Sequence, residues 1–461
     1  MDPGALTDTF RKLVPEDARV ELVAGGFDFT EGPVWHSDGY LLFSDVPGDA
    51  IHRLVPGSEP EPWVSPSGNA NGLAIDRAGR VLGCQHVPAA VSVFRPGRPP
   101  EPLATHYEGK ELNSPNDLCV RSDGTVYFTD PHPSGRTARW GKERPAELDI
   151  NGVYVLPAGS DAPVLLAQFE FPNGICLSPD ERTLYANDTK RMQINAFDVH
   201  PDGTATGERL FLVEEGEMEF DADGAPILAE DTGFPDGMKC DEHGNLYCTG
   251  PGGVWVVSPS GDHLGTIRTP VFASNLAFGG PHGRTLYITV GGGRPGSVYR
   301  IELAVRGAVG AGASTQISRQ ALVDELLHML GASRVTLRID DVPGEVFPVK
   351  AESLAPGVNS IAGDRTIPIR ESETFQWVER ERRLLVQDDI LSSPIAPAPA
   401  LTGPYRARSQ ILAPVFRGED LVGLVSVHQV GELRHWTPDE AAFVERAVER
   451  LEAELNRGDG L

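Results

Sequence analysis

The chain has 461 residues, 40% of them hydrophobic and 23% charged, and a formal net charge of −26. That length suggests two or three domains. The acidic balance argues against a nucleic-acid binder, which carries basic stripes, and against attraction to anionic membranes. No apolar run approaches the roughly 18 residues that span a bilayer.

The first residues, "MDPGALTDTFRKLVPEDARV", carry acids early and have no apolar h-region, so they do not read as a signal peptide. Cys84, Cys119, Cys176, Cys240 and Cys248 are odd in number and sit in strand-like runs. They read as reduced thiols of a cytoplasmic protein. Cys240, His243 and Cys248 would supply only three zinc ligands, at a spacing that fits no common zinc module.

Up to about residue 304 the texture is all-β, with short runs such as "TVYFTD" and "TLYITV" between Gly, Pro, Asn and Asp turns. One phrase recurs: a polar hinge residue, an apolar strand, a turn with Asp and Gly, then a second strand. Its leading residues are Glu31, Asn71, Asn116, Asn173, Asp236 and Asn275, at intervals of roughly 40 to 60 residues. Periods of this size with short strands indicate four-stranded propeller blades. Six phrases predict a six-bladed β-propeller, with "ARVELVAG" before Glu31 expected to close the last blade.

Equivalent residues of a propeller gather around its axis, so the six leading side chains are expected to form a ring. All six end in oxygen acceptors and two are carboxylates. Such a set suits a hard divalent cation. Asn-Gly and Asp-Gly are also strong turn dipeptides. A turn, however, does not explain Glu before Gly32, or the Asn of "SNLAF", which no Gly follows.

After the Gly/Ala-rich linker "RGAVGAGAST" the texture changes. "SRQALVDELLHML" predicts a helix with Leu322, Leu326, Met329 and Leu330 on one face and Gly331 as its C-cap. "RVTLRID" reads as a strand, and "SQILAPVF" and "DLVGLVSVH" as a hairpin. The last helix, in "TPDEAAFVERAVERLEAEL", starts at a Thr437–Glu440 capping box with Pro438 at its first position. Its stripe of Ala441, Val444, Val448, Leu451 and Leu455 needs a partner: the 318–330 helix, or a second chain in a homodimer. The second domain is α+β. The boundaries expected are 18–304, a linker 305–315, and 316–457.

"FTEGPVW", "NSPNDL" with "GTVYFTDP", "FPNGICLSPD" with "LYAND", and "PDGMKCDEHGNLYCTG" together resemble the gluconolactonase, senescence marker protein and luciferin-regenerating enzyme family of propellers, over roughly residues 18–303. The resemblance implies a lactone hydrolase whose divalent metal is bound by Glu31, Asn173 and Asp236, with Asn116 beside metal and substrate. Calcium is the first expectation, with zinc, magnesium or manganese as alternatives. Asp236 is implied as the proton donor and acceptor. Metal binding weakens it as a base unless one oxygen stays free. Asp117, Asp130, His86 and His132 are candidates to help, Asp130 first among them because it lies in "FTDP". Asn71, His86 and His132 are expected on the substrate side. Ser114 stands where animal members have Arg, and "TDPHPSGR" differs from the aromatic loop of bacterial gluconolactonases, which bears on the substrate more than on the reaction.

Residues from about 315 to 457 resemble a GAF domain, through "ELLHMLGASRVTLRID", "ILAPVFRGEDLVGLVSVH" and "RHWTPDEAAFVERA". Such domains bind small molecules or dimerise. No Cys follows residue 248, which excludes thioether attachment of a bilin. Arg334, Arg338, Arg406, Arg408, His428 and Trp436 are conspicuous there. Two other functions stay open: a non-catalytic sensor whose propeller binds a sugar acid or metal, and a metal-dependent ester or phosphoester hydrolase.

Overall fold

Short β runs bounded by turn residues pair in sequence order into six four-stranded antiparallel sheets. The computed structural model describes residues 7–77, 79–132, 137–214, 233–280, 282–291, 295–308, 319–339, 348–362 and 369–455. The first strands of the sheets are Thr30–His36, Ala70–Ile75, Leu118–Val120, Pro172–Leu177, Met238–Cys240 and Ala273–Gly279. Each touches the first strand of the next sheet, and the sixth touches the first. The result is a β-propeller. In the sixth sheet the outer strand is Glu21–Phe27, which pairs with Gly296–Glu302 and so joins the start of the fold to its end.

Hydrogen bonds run around the centre from sheet to sheet. Ser44 Oγ donates to Asn71 O, Gly72 N to Asn116 O, and Thr129 Oγ1 to Asn173 O. Asn187 Nδ2 donates to Asp236 O, Gly237 N to Ser274 O, and Ser274 Oγ back to Thr30 O. The glycines after the leading residues permit this closeness. A Cβ on Gly174 would lie 1.8 Å from Asp236 O, and one on Gly32, at φ 48°, 2.1 Å from Asn71 O. No side chain fits such gaps, so these glycines serve close backbone approach.

Apolar side chains of neighbouring sheets interleave between the blades. One such cluster joins Tyr247, Val254, Leu276, Leu286 and Ile288 to Phe10 of an N-terminal helix, Asp8–Leu13. The sequence reading had missed this helix. Thr7 caps it and ties it to Leu264 O. Each Leu, Ile or Val fully buried in such a layer contributes about 1.5–3 kcal/mol.

The chain divides into two units, Met1–Ser314 and Thr315–Leu461. Most of the predicted linker falls in 309–318, outside the described residues. The second unit holds a five-stranded sheet in the order Val349–Leu354, Arg334–Ile339, Asp420–Val430, Ala407–Arg417, Leu385–Gln387. The helices Arg319–Leu330 and Pro438–Leu455 cover one face, over Val335, Leu337, Ile411, Val425 and Val427. Thr437 and Glu440 form the expected reciprocal cap.

Two expectations are revised. Met329 does not share the buried face of Leu322, Leu326 and Leu330; it is 63% exposed. The stripe of the last helix is covered within its own unit, where Val444, Val448 and Leu451 pack on the sheet and Leu455 lies against them. It therefore no longer calls for a second chain. The strands Val349–Leu354 and Leu385–Gln387 and the helix Glu373–Glu381 were not foreseen.

Candidate functional site

The leading residues stand at or just before the first strands, which touch one another in turn. Glu31, Asn71, Asn116, Asn173 and Asp236 are all at most 9% exposed. Local irregularity aims them. The pairing shifts register between Glu31 and Val34, between Ala70 and Leu73, and between Pro172 and Ile175. Such bulges re-aim side chains at the edge of a sheet.

Asn275 needs a correction. Gly237 N donates to Ser274 O as Gly72 N donates to Asn116 O, so Ser274 takes the leading place in the sixth sheet. Asn275 lies one residue further in, at the level of Asp117. Both bond the next backbone N–H through their own Oδ1, Asn275 to Leu276 and Asp117 to Leu118. Asn275 Nδ2 donates to Glu31 Oε2 at 2.9 Å. The amide thus positions the carboxylate instead of joining the ring.

The site is acceptor-rich. Asn71 Oδ1, Asn173 Oδ1 and Asp117 Oδ2 are buried with no hydrogen-bond donor. Asn173 shows its orientation, since its Nδ2 donates to Thr189 Oγ1 and leaves the oxygen bare. Burial pushes the Glu31 carboxyl up to about 7, against the opposing pull of the Gly32 N–H and the Asn275 amide. Asp236 is held well above the usual carboxylate range by burial and then by the charges of Glu31 and Asp117. Asp117 is also raised by burial, and Lys239 draws it back. Bare acceptors beside buried carboxylates are costly unless a cation meets them. A divalent cation fits this set through carboxylate and amide oxygens. Among the described residues no three His, Cys, Asp or Glu side chains form a metal cluster, so amide oxygens are needed to complete the set.

Asp130 is placed differently from the expectation of a catalytic role. Its Oδ2 accepts from Asn113 N and its Oδ1 from Ser114 N. Asp45 does the same for Asp28 and Phe29, and Asp188 for Glu170 and Phe171. In three sheets, then, an Asp ending the second strand clamps the loop that leads to the ring. The signal was present in "FSD", "FTD" and "AND" and went unread. Asp130 is a positioning residue on this geometry.

His86 is buried, with Nδ1 2.7 Å from Trp140 O. A carbonyl only accepts, so Nδ1 carries the hydrogen and Nε2 the lone pair. That Nε2 is buried without a partner. Burial, aided by the Arg144 charge, lowers His86 to about 4 and keeps the ring neutral. Arg144 also donates to His86 O and Asn113 O, tying the 137–150 loop to the second and third sheets. His132 is exposed, with its backbone N–H on Asn151 Oδ1; it is not drawn into the ring. Pro133 lies outside the described residues.

A further pattern was missed. Phe29, Phe171, Phe234 and Phe272 each stand two residues before a leading residue, namely Glu31, Asn173, Asp236 and Ser274. Phe29 meets Trp140 edge-on at 4.8 Å, and Phe234 lies 4.6 Å from Phe272. None of the four belongs to the clusters between the sheets that contain the neighbouring strands. They make an apolar rim before the ring, and Asn69 and Ser114 take the same places in the other two sheets.

The propeller fold is shared with proteins of known structure. The family model described as the SMP-30/Gluconolactonase/LRE-like region matches residues 29–292, and that of the GAF domain matches residues 319–455. The chain belongs to the SMP-30/gluconolactonase/LRE-like family and carries a C-terminal GAF domain. It is 32% identical over 289 residues to a gluconolactonase of Zymomonas mobilis, covering 59% of this chain and 78% of that protein. Pentonolactonase XacC of Haloferax volcanii is 24% identical over 298 residues, covering 60% and 91%. The solved structure of a gluconolactonase from Xanthomonas campestris superposes with a TM-score of 0.57 at 30% identity, covering 66% of this chain and 95% of that one.

Proposed function

We propose that the chain is a lactonase, a hydrolase that opens a sugar lactone or related small lactone at the ring of a six-bladed propeller. The observation that carries this reading is the set of bare acceptors, Asn71 Oδ1 and Asn173 Oδ1, buried with the Glu31 and Asp236 carboxylates. Glu31, Asn173 and Asp236 would hold one divalent cation, calcium first among those that suit oxygen ligands. When bound, the cation neutralises the carboxylates and polarises the lactone carbonyl.

The remaining steps belong to the chain's own groups. A free carboxylate oxygen of Asp236 takes the proton of the attacking water and returns it to the ring oxygen as the acyl bond breaks, releasing a hydroxy acid. Asn116 and Asn71 orient the substrate. His86 Nε2 accepts a hydrogen bond from a substrate hydroxyl; with its basicity so lowered, it acts as a fixed acceptor rather than a base. The phenylalanine rim keeps water from the acyl carbon.

We assign 18–304 to the catalytic domain, 305–315 to a linker and 316–457 to a ligand-sensing GAF domain. Five free cysteines suit a reducing cytoplasm, and among the described residues no helix is long and apolar enough to cross a membrane. A homodimer through the GAF helices would have to use faces other than the covered stripe, which light scattering decides. The functional test is hydrolysis of D-glucono-1,5-lactone before and after EDTA, with calcium, magnesium, manganese and zinc restored in turn. Activity indifferent to chelation would remove the cation, and inactivity on every aldonolactone would remove the substrate class.

A further inference from the structure

The five-stranded sheet of the second unit has a second face, opposite the two helices; Leu412 and Leu424 pack there with Phe375 and Val378, and the rest of that face is polar and buried. Arg334 pairs with His428 across the central strands, and Thr336 pairs with Ser426 one step along. Strand alternation puts Arg334, Thr336, Arg338, Gln410 and His428 on this side. All five are at most 2% exposed.

The polar atoms without a partner here, His428 Nε2 and the Thr336 hydroxyl, can donate. Arg334 Nε donates to His428 Nδ1 at 3.3 Å. An arginine N–H never accepts, so Nδ1 holds the lone pair and the neutral ring carries its hydrogen on Nε2. That Nε2 is buried and has no acceptor, and neither has the hydroxyl of Thr336. Arg334 also donates to the carbonyls of Asn359 and Tyr405. These three bonds leave two of its five N–H donors. Its acceptors are all neutral. A carboxylate that attracts it is Glu352, the cross-strand partner of Thr336, whose oxygens accept from Ser360 and from Ile361 N.

A buried guanidinium with spare donors, beside an N–H and a hydroxyl with no partner, has donors to offer a further anion. We propose that this face binds a small oxyanion, a carboxylate or a phosphate, between Arg334, the Nε2–H of His428 and the hydroxyl of Thr336. The proposal rests on reading the second unit as a ligand-binding domain. The hydroxy acid released by lactone opening is itself a carboxylate, so D-gluconate is the natural first probe.

Isothermal titration of the full chain with D-gluconate, with inorganic phosphate and with neutral D-glucitol tests it. One-to-one saturable binding of either anion, without binding of D-glucitol, is expected, and which anion binds identifies the source. A Glu31→Gln/Asp236→Asn variant should bind the anion unchanged. Thr336→Val, a near-isosteric change, and His428→Gln should each weaken binding about tenfold. Absence of saturable anion binding, binding indifferent to both second-unit variants, or binding lost with the ring carboxylates would overturn the proposal. D-glucitol bound as tightly as gluconate, and dependent on Thr336 and His428, would keep the ligand-binding domain and refute the anion. No binding of any probe, with Thr336→Val raising the melting temperature, would make the face a structural layer and remove both readings.

Discussion

The propeller ring and the polar face of the GAF sheet are both buried, and they offer opposite chemistry to a ligand. At the ring the unmet atoms are oxygens: Asn71 Oδ1, Asn173 Oδ1 and Asp117 Oδ2. On the sheet they are the N–H of His428 and the hydroxyl of Thr336, beside Arg334. Each region contains one buried neutral histidine, and the two are opposite tautomers. Trp140 O fixes a lone pair at Nε2 of His86, while the Arg334 N–H fixes a hydrogen at Nε2 of His428. The partner of the hidden nitrogen thus decides what the other nitrogen can recognise.

The sharpest way to break this contrast is to neutralise the ring. Glu31→Gln with Asp236→Asn should lower kcat/KM for D-glucono-1,5-lactone by about a thousandfold or more. The far-ultraviolet circular dichroism should not change. A drop of less than tenfold would show that the carboxylates are not the reacting set.

Geometry comes next. Gly174→Ala pushes a Cβ into Asp236 O, and should destabilise the propeller by about 3 kcal/mol. Urea unfolding followed by tryptophan fluorescence measures it. A neutral outcome would mean that the fourth and fifth sheets can part without cost.

The histidines give a milder test. The folded value of His86 is about 4, against 6.5 for the free side chain. Below pH 6.5 the unfolded chain therefore takes up the proton that the folded one refuses, and stability falls as pH falls toward 4. Between pH 7 and pH 5 this amounts to about 2 kcal/mol. His86→Gln should flatten that part of the profile, and an unchanged slope would place the proton uptake elsewhere. The smallest effect is expected at the far end of the chain. Thr437→Ala removes one half of a capping box and should cost the GAF unit about 1 kcal/mol. Lactone hydrolysis should not respond to it, which makes this variant a control for changes confined to the second unit.

The sequence showed the ring because its chemistry repeats. Glu31, Asn71, Asn116, Asn173 and Asp236 hold one place in one phrase, and a closed array of sheets brings that place together. Asn275 was misplaced because the phrases were aligned by residue type, whereas strand register decides. There Ser274 leads, and Asn275 reaches sideways to Glu31. Asp130 looked reactive because it sits in a family phrase, and only its backbone partners show a clamp. In the second unit Arg334 and His428 were conspicuous as letters. Their shared face needed the pairing of two strands far apart in sequence, which no local period reveals.

One consequence concerns the order in which the protein is made. Glu31 leaves the ribosome well before its partners: the amide that holds it, Asn275, and the strand Gly296–Glu302 that closes the circle come some 240 residues later or more. Contacts of such span delay folding. Until they form, the acid of the first sheet has neither its amide nor the Asp236 carboxylate that its charge meets. On the proposed function, catalytic competence arrives only with the completed circle, and a chain cut short before residue 273 would carry most of the ring's letters and none of that chemistry.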